Sequence, residues 1–255
     1  MNYRKVPVTQ WSDGTAKISS DEVAVESVVS LNCNGFELAT LLASPDELEH
    51  LLFGHLICEG YVANDVLNRI NSTPKIESNK NGFVVSLTTE IPLLIEPRTK
   101  GITNTSCGAC NIDGLDGLIS TLPIIGRKLN FDISILHGGM EAMRKLQSGF
   151  SKTGGMHCAG LLSTDGELTF VSEDIGRHSA VDKVIGKAIL DGNIRQSILL
   201  LSGRCGWDIV AKAARADIST IASIGASSSL AGDCARQLGM QIYSFVRQNS
   251  ATIIG

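Results

Sequence analysis

The sequence predicts an α/β protein: a strand–helix core in its second half, preceded by a smaller α+β unit. Three observations carry this. From residue 157 onward, apolar runs of strand length alternate with single helical segments, the rhythm of a sheet with a parallel portion and right-handed crossovers. Before residue 97 the apolar segments are punctuated by hairpin turn signals. Between the two lies a long polar stretch, Pro97 to Ile112, rich in Thr, Asn, Ser and Gly.

Residues 1–20 are polar and read as poorly ordered or an edge extension. Val23, Val25, Val28, Val29 and Leu31 alternate as a strand, Asn32-Cys33-Asn34-Gly35 supplies a hairpin turn, and Phe36–Leu42 returns. Ser44-Pro45-Asp46-Glu47 has the form of a capping box with proline in the first turn. Leu48, Leu51, Leu52 and Leu56 make the buried stripe of the helix, and Gly60 ends it. Strands follow near 66–77 and 83–88, joined at Asn79-Lys80-Asn81-Gly82. Beyond the polar stretch, helices are expected at 113–121 and 132–148, the second capped by Asp132. The core then reads as strand 158–163, turn Thr164-Asp165-Gly166, strand 168–172, helix 178–190, strand 197–202, helix 207–216, strand 219–223, helix 228–238 and strand 241–246. The expected division is 1–112, an α+β unit ending in a Cys-x-x-Cys loop, and 113–255, the α/β domain.

Composition narrows the function classes. Of 255 residues 43% are hydrophobic and 19% charged, which suits a chain with a substantial core. The net charge of −4 gives no bulk attraction to nucleic acid, so an anion site must be a local basic patch. No apolar run reaches membrane-span length, and Met1-Asn2-Tyr3-Arg4-Lys5 is not followed by a signal-like apolar stretch. A soluble, cytoplasmic protein is expected, with neither nucleic acid nor membrane as partner. Seven cysteines, an odd number, argue for free thiols rather than a disulfide framework. Cys33, Cys58 and Cys234 read as small fillers of the core or its margin.

Cys107 and Cys110, in Ser106-Cys107-Gly108-Ala109-Cys110, stand apart. A structural zinc site needs about four ligands, and this chain has one such pair; His157 and Cys158 could complete a set, although their spacing does not announce it. A thioredoxin-like site follows an apolar strand, whereas these cysteines follow Lys100-Gly101-Ile102-Thr103-Asn104-Thr105, a loop. Two incidental cysteines remain an alternative. For a reactive thiol stand Gly108, which frees the backbone, and the absence of Asp and Glu between Pro97 and Ile112, with Arg98 and Lys100 close by. Such surroundings favour thiolate, the form that attacks a persulfide or disulfide.

The second half carries another pattern. Glu173-Asp174-Ile175-Gly176-Arg177-His178 and Ser202-Gly203-Arg204-Cys205-Gly206 each follow a strand and open a helix, and Arg247 follows the last strand in Phe245-Val246-Arg247. In open α/β sheets the carboxyl edge of the strands binds ligands. Helix N-termini with glycine suit phosphate, and arginine adds paired donors. The three arginines therefore point to an anionic, phosphate-bearing ligand, with Thr153-Gly154-Gly155-Met156-His157 as a further turn near it. His178 with Asp182 and Asp174, four residues to either side, reads either as an acid/base cluster or as capping and salt bridging with Arg177 or Lys183.

Together these motifs resemble the formate dehydrogenase accessory sulfurtransferase family (the FdhD type). The resemblance runs over roughly residues 20–250. It is carried by Pro45…Leu56-Ile57-Cys58-Glu59-Gly60, Ser106-Cys107-Gly108-Ala109-Cys110, Thr153-Gly154-Gly155-Met156-His157, Glu173-Asp174-Ile175-Gly176-Arg177-His178 with Ala180-Val181-Asp182-Lys183, Ser202-Gly203-Arg204 and Phe245-Val246-Arg247. The resemblance implies a cytidine deaminase-like α/β core and a homodimer. It implies a sulfurtransferase that takes persulfide sulfur from a cysteine desulfurase and delivers it to the molybdenum bis(molybdopterin guanine dinucleotide) cofactor, a cargo that then serves formate dehydrogenase; no permanent metal is expected. Cys107 matches the persulfide-bearing cysteine and Cys110 its partner. Phe245, Val246, Arg247, Gln248, Asn249 and Ser250 match the cofactor-binding stretch, and Gly176, Arg177, His178, Gly203 and Arg204 join it as guanine-nucleotide contacts. Deamination is excluded because His157-Cys158-Ala159-Gly160 supplies no glutamate and no Pro-Cys-x-x-Cys follows. Gly206-Trp207-Asp208, Ser227-Ser228 and Gln248-Asn249-Ser250 depart from the family pattern. A non-catalytic cofactor-binding chaperone, or a dithiol redox protein, are the alternative functions.

Overall fold

The computed structural model describes residues 2–63, 70, 72–94, 117, 119–192, 194 and 196–255. The expected Cys-x-x-Cys loop, the division at 112/113 and most of the helix expected at 113–121 lie outside the described residues.

The core is a six-stranded sheet built from β7 (His157–Leu162), β8 (Leu168–Asp174), β9 (Ile198–Leu201), β10 (Thr220–Ser223), β11 (Gln241–Arg247) and β12 (Ser250–Ile254), in the order β12-β11-β10-β9-β7-β8. β9, β10 and β11 are parallel, while β7 runs against both β8 and β9. β8, β9, β10 and β11 therefore all point the same way, and their carboxyl ends share one edge. The class is the mixed α/β fold expected.

The central strands are apolar throughout because both faces are covered. Leu199 and Leu201 belong to one buried cluster and Ile198 and Leu200 to the other, the alternation a pleated strand requires. On one side lie α4 (Arg177–Leu190), α5 (Trp207–Arg215) and α6 (Ser229–Leu238). On the other lies α2 (Ser134–Leu146), whose Leu136, Met140 and Met143 pack on Leu162, Ile198, Leu200 and Val246.

The first half contributes a four-stranded sheet, β4-β3-β6-β5, and one helix. β3 (Ser27–Cys33) and β4 (Phe36–Ala43) form the expected hairpin, turning on left-handed Asn34 and Gly35. β5 (Lys75–Asn79) and β6 (Gly82–Leu87) form the next; the first of these starts later than the expected residue 66. Helix α1 (Leu48–Cys58) then packs along α4. The two axes approach so closely that a Cβ on Gly54 would lie 1.7 Å from the Asp182 carbonyl oxygen, and one on Gly186 would lie 2.0 Å from that of His50. Only glycine fits at either position.

Three expectations change here. Residues 3–24 form a separate two-stranded ribbon, β1 (Tyr3–Ser12) with β2 (Thr15–Ala24), closed by left-handed Asp13 and Gly14. Asp-Gly was a hairpin signal in the sequence. Most of its residues are exposed, including Trp11 and Ile18 near the tip, and its base rests against the short helix at 148–153. Ser44 does not cap α1. The helix starts after Glu47, which is left-handed and makes no side-chain cap, while Ser44 turns its hydroxyl to accept from the Ile175 amide. A tertiary partner has taken the capping residue. The helix expected at 132–148 is two helices, α2 and α3 (Ser148–Thr153), broken at Gln147. Glu173 receives the α3 amides of Gly149 and Phe150 at 2.8 and 2.9 Å and so imposes a new helix start. Asp132, expected as the cap, stands one residue before the N-cap Ile133 and accepts from the Ser134 amide at 2.9 Å.

Beneath α1 and α4 lies a layer of buried charge. Lys183 reaches Asp174 at 2.7 Å, Asp46 at 3.1 Å and the Ser44 carbonyl at 3.0 Å. Lys212 reaches Asp182 and Glu59, both at 2.7 Å, and Asp182 also meets His55 at 3.1 Å. Burial works against the charge on Asp182, yet Lys212 and His55 outweigh it and bring its pKa down to about 2. Lys212→Met removes the main counter-charge from a carboxylate that stays buried. Losing one partner of such a pair costs about 3–5 kcal/mol. Urea unfolding should therefore show the variant destabilised by that order; a change within about 0.5 kcal/mol, the range of an ordinary surface substitution, would contradict the pairing.

Candidate functional site at the carboxyl edge of the sheet

The edge is assembled from four loops that the backbone stitches together. The loop after β9 (202–206) bonds the loop after β10 (224–228): the Gly225 amide donates to Gly203, and the Cys205 amide to Ala226. The second loop bonds the end of β11, where the Phe245 amide donates to the Gly225 carbonyl. The fourth loop, between β8 and α4, is tied in by side chains. Asp208, in the first turn of α5, accepts from Arg177 at 3.2 Å and contacts the His178 ring through Nε2. A Cβ on residue 206 would lie 2.2 Å from the Asp208 carboxylate, so Gly206 makes room for it.

The predicted residues come together here, though in different states. Arg177 and His178 open α4 and are held by Asp208. Gly176 is the N-cap, its amide donating to Asp174 at 2.8 Å. Arg204 has no side-chain hydrogen bond or ion pair among the described residues. Arg247 ends β11 and donates to the carbonyls of Ile224 and Val246 at 3.1 and 2.8 Å, so part of its guanidinium braces the strand end. Phe245 lies in a bulge with a φ of 52° and points to solvent, whereas Val246 is buried. Gln248 and Asn249 form the tight turn into β12, which begins at Ser250. β12 is not among the strands expected above, although its Ile and Thr residues follow the turn at strand spacing.

His178, Asp182 and Asp174 do not form an acid/base cluster. Asp182 faces Lys212 and His55, Asp174 faces Lys183, and His178 faces Asp208. The salt-bridging alternative holds, with partners mostly distant in sequence.

His157, first residue of β7, completes the edge. Its Nδ1 lies 3.4 Å from where a Cβ on Gly203 would sit. Burial, then the charges of Arg177, His178 and Arg204, lower its pKa, so the ring is neutral at neutral pH.

The remaining cysteines are chemically quiet. Cys33, Cys58, Cys158, Cys205 and Cys234 are all buried and free. Burial pushes every one of these thiols up, Cys158 and Cys205 to about 12. Cys107 and Cys110 lie outside the described residues. Among the described residues no cluster of His, Cys, Asp and Glu has the form of a metal site, and no helix is long and apolar enough to cross a membrane.

A cavity of about 640 Å³ opens beside this edge, between the α2–α3 corner and the ends of β7, β9, β10 and β11. Its walls include His157, Ser202, Val246 and Arg247 from the strand ends and His137, Met140, Glu141 and Arg144 from α2. The α2 residues are not among the site residues expected above. Their spacing of three and four, on one helical face beside buried Met140, was the available signal.

The sequence matches the FdhD/NarQ family over residues 24–254. This chain belongs to that family. A sulfur carrier protein FdhD of Corynebacterium efficiens is 34% identical over 90% of this chain and 87% of its own length. That of Sulfurisphaera tokodaii is 33% identical over 99% and 97%. A crystal structure described as a formate dehydrogenase accessory protein of Desulfotalea psychrophila has a TM-score of 0.77 at 20% identity, covering 99% of this chain and 96% of that one. It shows the same fold along nearly the whole length.

The Asp208 contact makes a pH prediction. Burial works against its charge, but His178, Arg177 and the Ile209 amide outweigh it and lower the pKa from 3.8 to about 2. A carboxylate whose pKa is lowered by folding stabilises the fold fully above its unfolded pKa and loses that contribution as pH falls through the folded one. The contribution of Asp208 is therefore complete above about pH 4 and lost toward pH 2. In Asp208→Asn, stability measured by urea unfolding should decline less steeply between those values than in the wild type. An unchanged slope would contradict the contact.

Proposed function

We propose that this chain is a sulfur carrier for a formate dehydrogenase, receiving persulfide sulfur from a cysteine desulfurase on Cys107 and passing it to the molybdenum bis(molybdopterin guanine dinucleotide) cofactor. The observation that carries the reading is an elimination within a family whose relatives are named sulfur carriers. Five of the seven cysteines are buried with raised pKa, which leaves Cys107 and Cys110 for thiolate chemistry. The strand-end arginines and glycines support the other half of the reading, a phosphate-bearing cargo.

The chemistry balances as two exchanges. Cys107 thiolate attacks the outer sulfur of the desulfurase persulfide. A new S–S bond forms on Cys107, the old one breaks, and the desulfurase cysteine leaves as thiolate. For release, Cys110 thiolate attacks the inner sulfur on Cys107. The Cys107–Cys110 disulfide forms, and the outer sulfur departs at the oxidation level of sulfide to become a ligand of the cargo's molybdenum. The two electrons come from the Cys107/Cys110 dithiol, and a cellular dithiol reductant restores it. On this reading Gly176, Arg177, His178, Gly203, Arg204 and the stretch Phe245 to Ser250 hold the guanine dinucleotide phosphates. The protein works as a homodimer in the cytoplasm.

Incubation with a cysteine desulfurase and cysteine should add one sulfur to Cys107, read by mass spectrometry, and Cys107→Ala should remain unlabelled and fail to activate formate dehydrogenase. Full activation by unlabelled Cys107→Ala would instead favour a cofactor-binding chaperone. Arg204→Ala should weaken guanosine diphosphate binding about tenfold or more, the cost of a charge-assisted contact; equal affinity would remove Arg204 from the site.

A further inference from the structure

A second cleft, of about 710 Å³, lies at the opposite, amino edge of the core sheet, and its volume is in the range of small-molecule sites. It is formed by the β7–β8 turn, the first residues of β8 and the segment between α4 and β9. β8 and β9 both run from this cleft toward the arginine edge, so the two sites stand at opposite ends of the strands. Asp165, Glu167 and Asp191 are in its walls, and among the described residues no lysine or arginine is. Asp191 is also the C-cap of α4, so the negative end of that helix dipole falls on the same space. Glu167 is exposed, and its carboxylate has no hydrogen bond or ion pair among the described residues. Ser197 is independent of this charge. It lines the cleft, is only 7% exposed, and its hydroxyl has no hydrogen-bond partner among the described residues. A hydroxyl taken so far out of water without a partner costs stability unless something in the cleft meets it.

We infer that this cleft binds an organic cation, an ammonium or guanidinium group on a short apolar stem. The charge follows from the walls: carboxylates and a helix C-terminus repel anions and attract cations. The size follows from the spacing. Among the described residues no group of His, Cys, Asp and Glu is placed to hold a metal ion, so these carboxylates suit a larger cation than a bare metal. Ammonium and guanidinium groups are donors only, while an ionised carboxylate only accepts and a hydroxyl oxygen accepts as well. Glu167 supplies the counter-charge, and Ser197 accepts a further N–H deeper in the cleft. Leu168 and Phe170, in the same wall, give the stem an apolar surface and the cation a ring to lie against. Two sources carry such a group: a free diamine or guanidino compound, and a lysine or arginine side chain of a partner protein. The site is independent of the sulfur and phosphate chemistry proposed above.

Titration of the isotopically labelled full chain, followed by its amide NMR signals, tests this with two probes. Agmatine, a guanidinium and an ammonium joined by a short alkyl chain, stands for a free cation. N-acetylarginine methylamide stands for a side chain, and sodium chloride at equal ionic strength controls for screening. Agmatine should shift the amides of Asp165, Glu167 and Ser197 saturably, and sodium chloride should not. Glu167→Gln should weaken agmatine binding about tenfold, the scale of a hydrogen bond to a charged group, and Ser197→Ala about threefold, the scale of a neutral one. Glu167 is exposed and Ser197→Ala removes a single atom, so circular dichroism should show both variants folded. Blocked arginine binding as tightly as agmatine would support a partner's side chain as the source, and tighter binding of agmatine a free small molecule. Shifts that do not saturate, or wild-type affinity for agmatine in either folded variant, would overturn the site.

Discussion

The structure depends on charge buried between helices α1, α4 and α5. Lys183 and Lys212 are essentially without solvent, and so are Asp174 and Asp182. An isolated charge in such surroundings would be very costly. Each here is met by several partners: Asp174 by Lys183 and the amides of Ser44 and Gly176, and Asp182 by Lys212 and His55. Glycines 54 and 186 let the backbones close over this layer. The partners come from both halves of the chain, so the layer also joins the small N-terminal unit to the core.

The candidate edge inherits its geometry from that layer. Asp174 ends β8, and its carboxylate holds the Gly176 amide that starts α4. Lys183, almost two turns on, holds the same carboxylate. The start of α4 is pinned from both directions, and Arg177 and His178 follow at once. Asp208 then couples them to the start of α5, and amide bonds carry the connection across to β11. The strand ends are thus held in place by the protein's own contacts. A site whose donors are already placed avoids the ordering cost of assembling them on binding.

Much of this was legible in the sequence, for reasons that also mark the limits. The alternation of apolar strands and single helices from residue 157 onward gave the α/β class, because burial on both faces leaves continuous runs such as Ile198–Leu201. The arginines after strands were legible because the shared edge follows from topology. What local pattern could not show was partner choice at long range. Ser44 has the form of a helix cap, yet it serves the β8–α4 turn some 130 residues away. Asp182 is four residues from His178 on one helix, but its partners lie on α1 and α5. Glu173 caps a helix that no sequence signal before it announces. In each case tertiary contact outweighed local preference.

The central proposal is that the arginines at this edge hold the phosphates of a nucleotide. A crystal structure of the chain soaked with guanosine diphosphate tests it most directly. The diphosphate should lie between the loops of Arg177 and Arg204. A nucleotide bound away from the carboxyl edge of the sheet would contradict it.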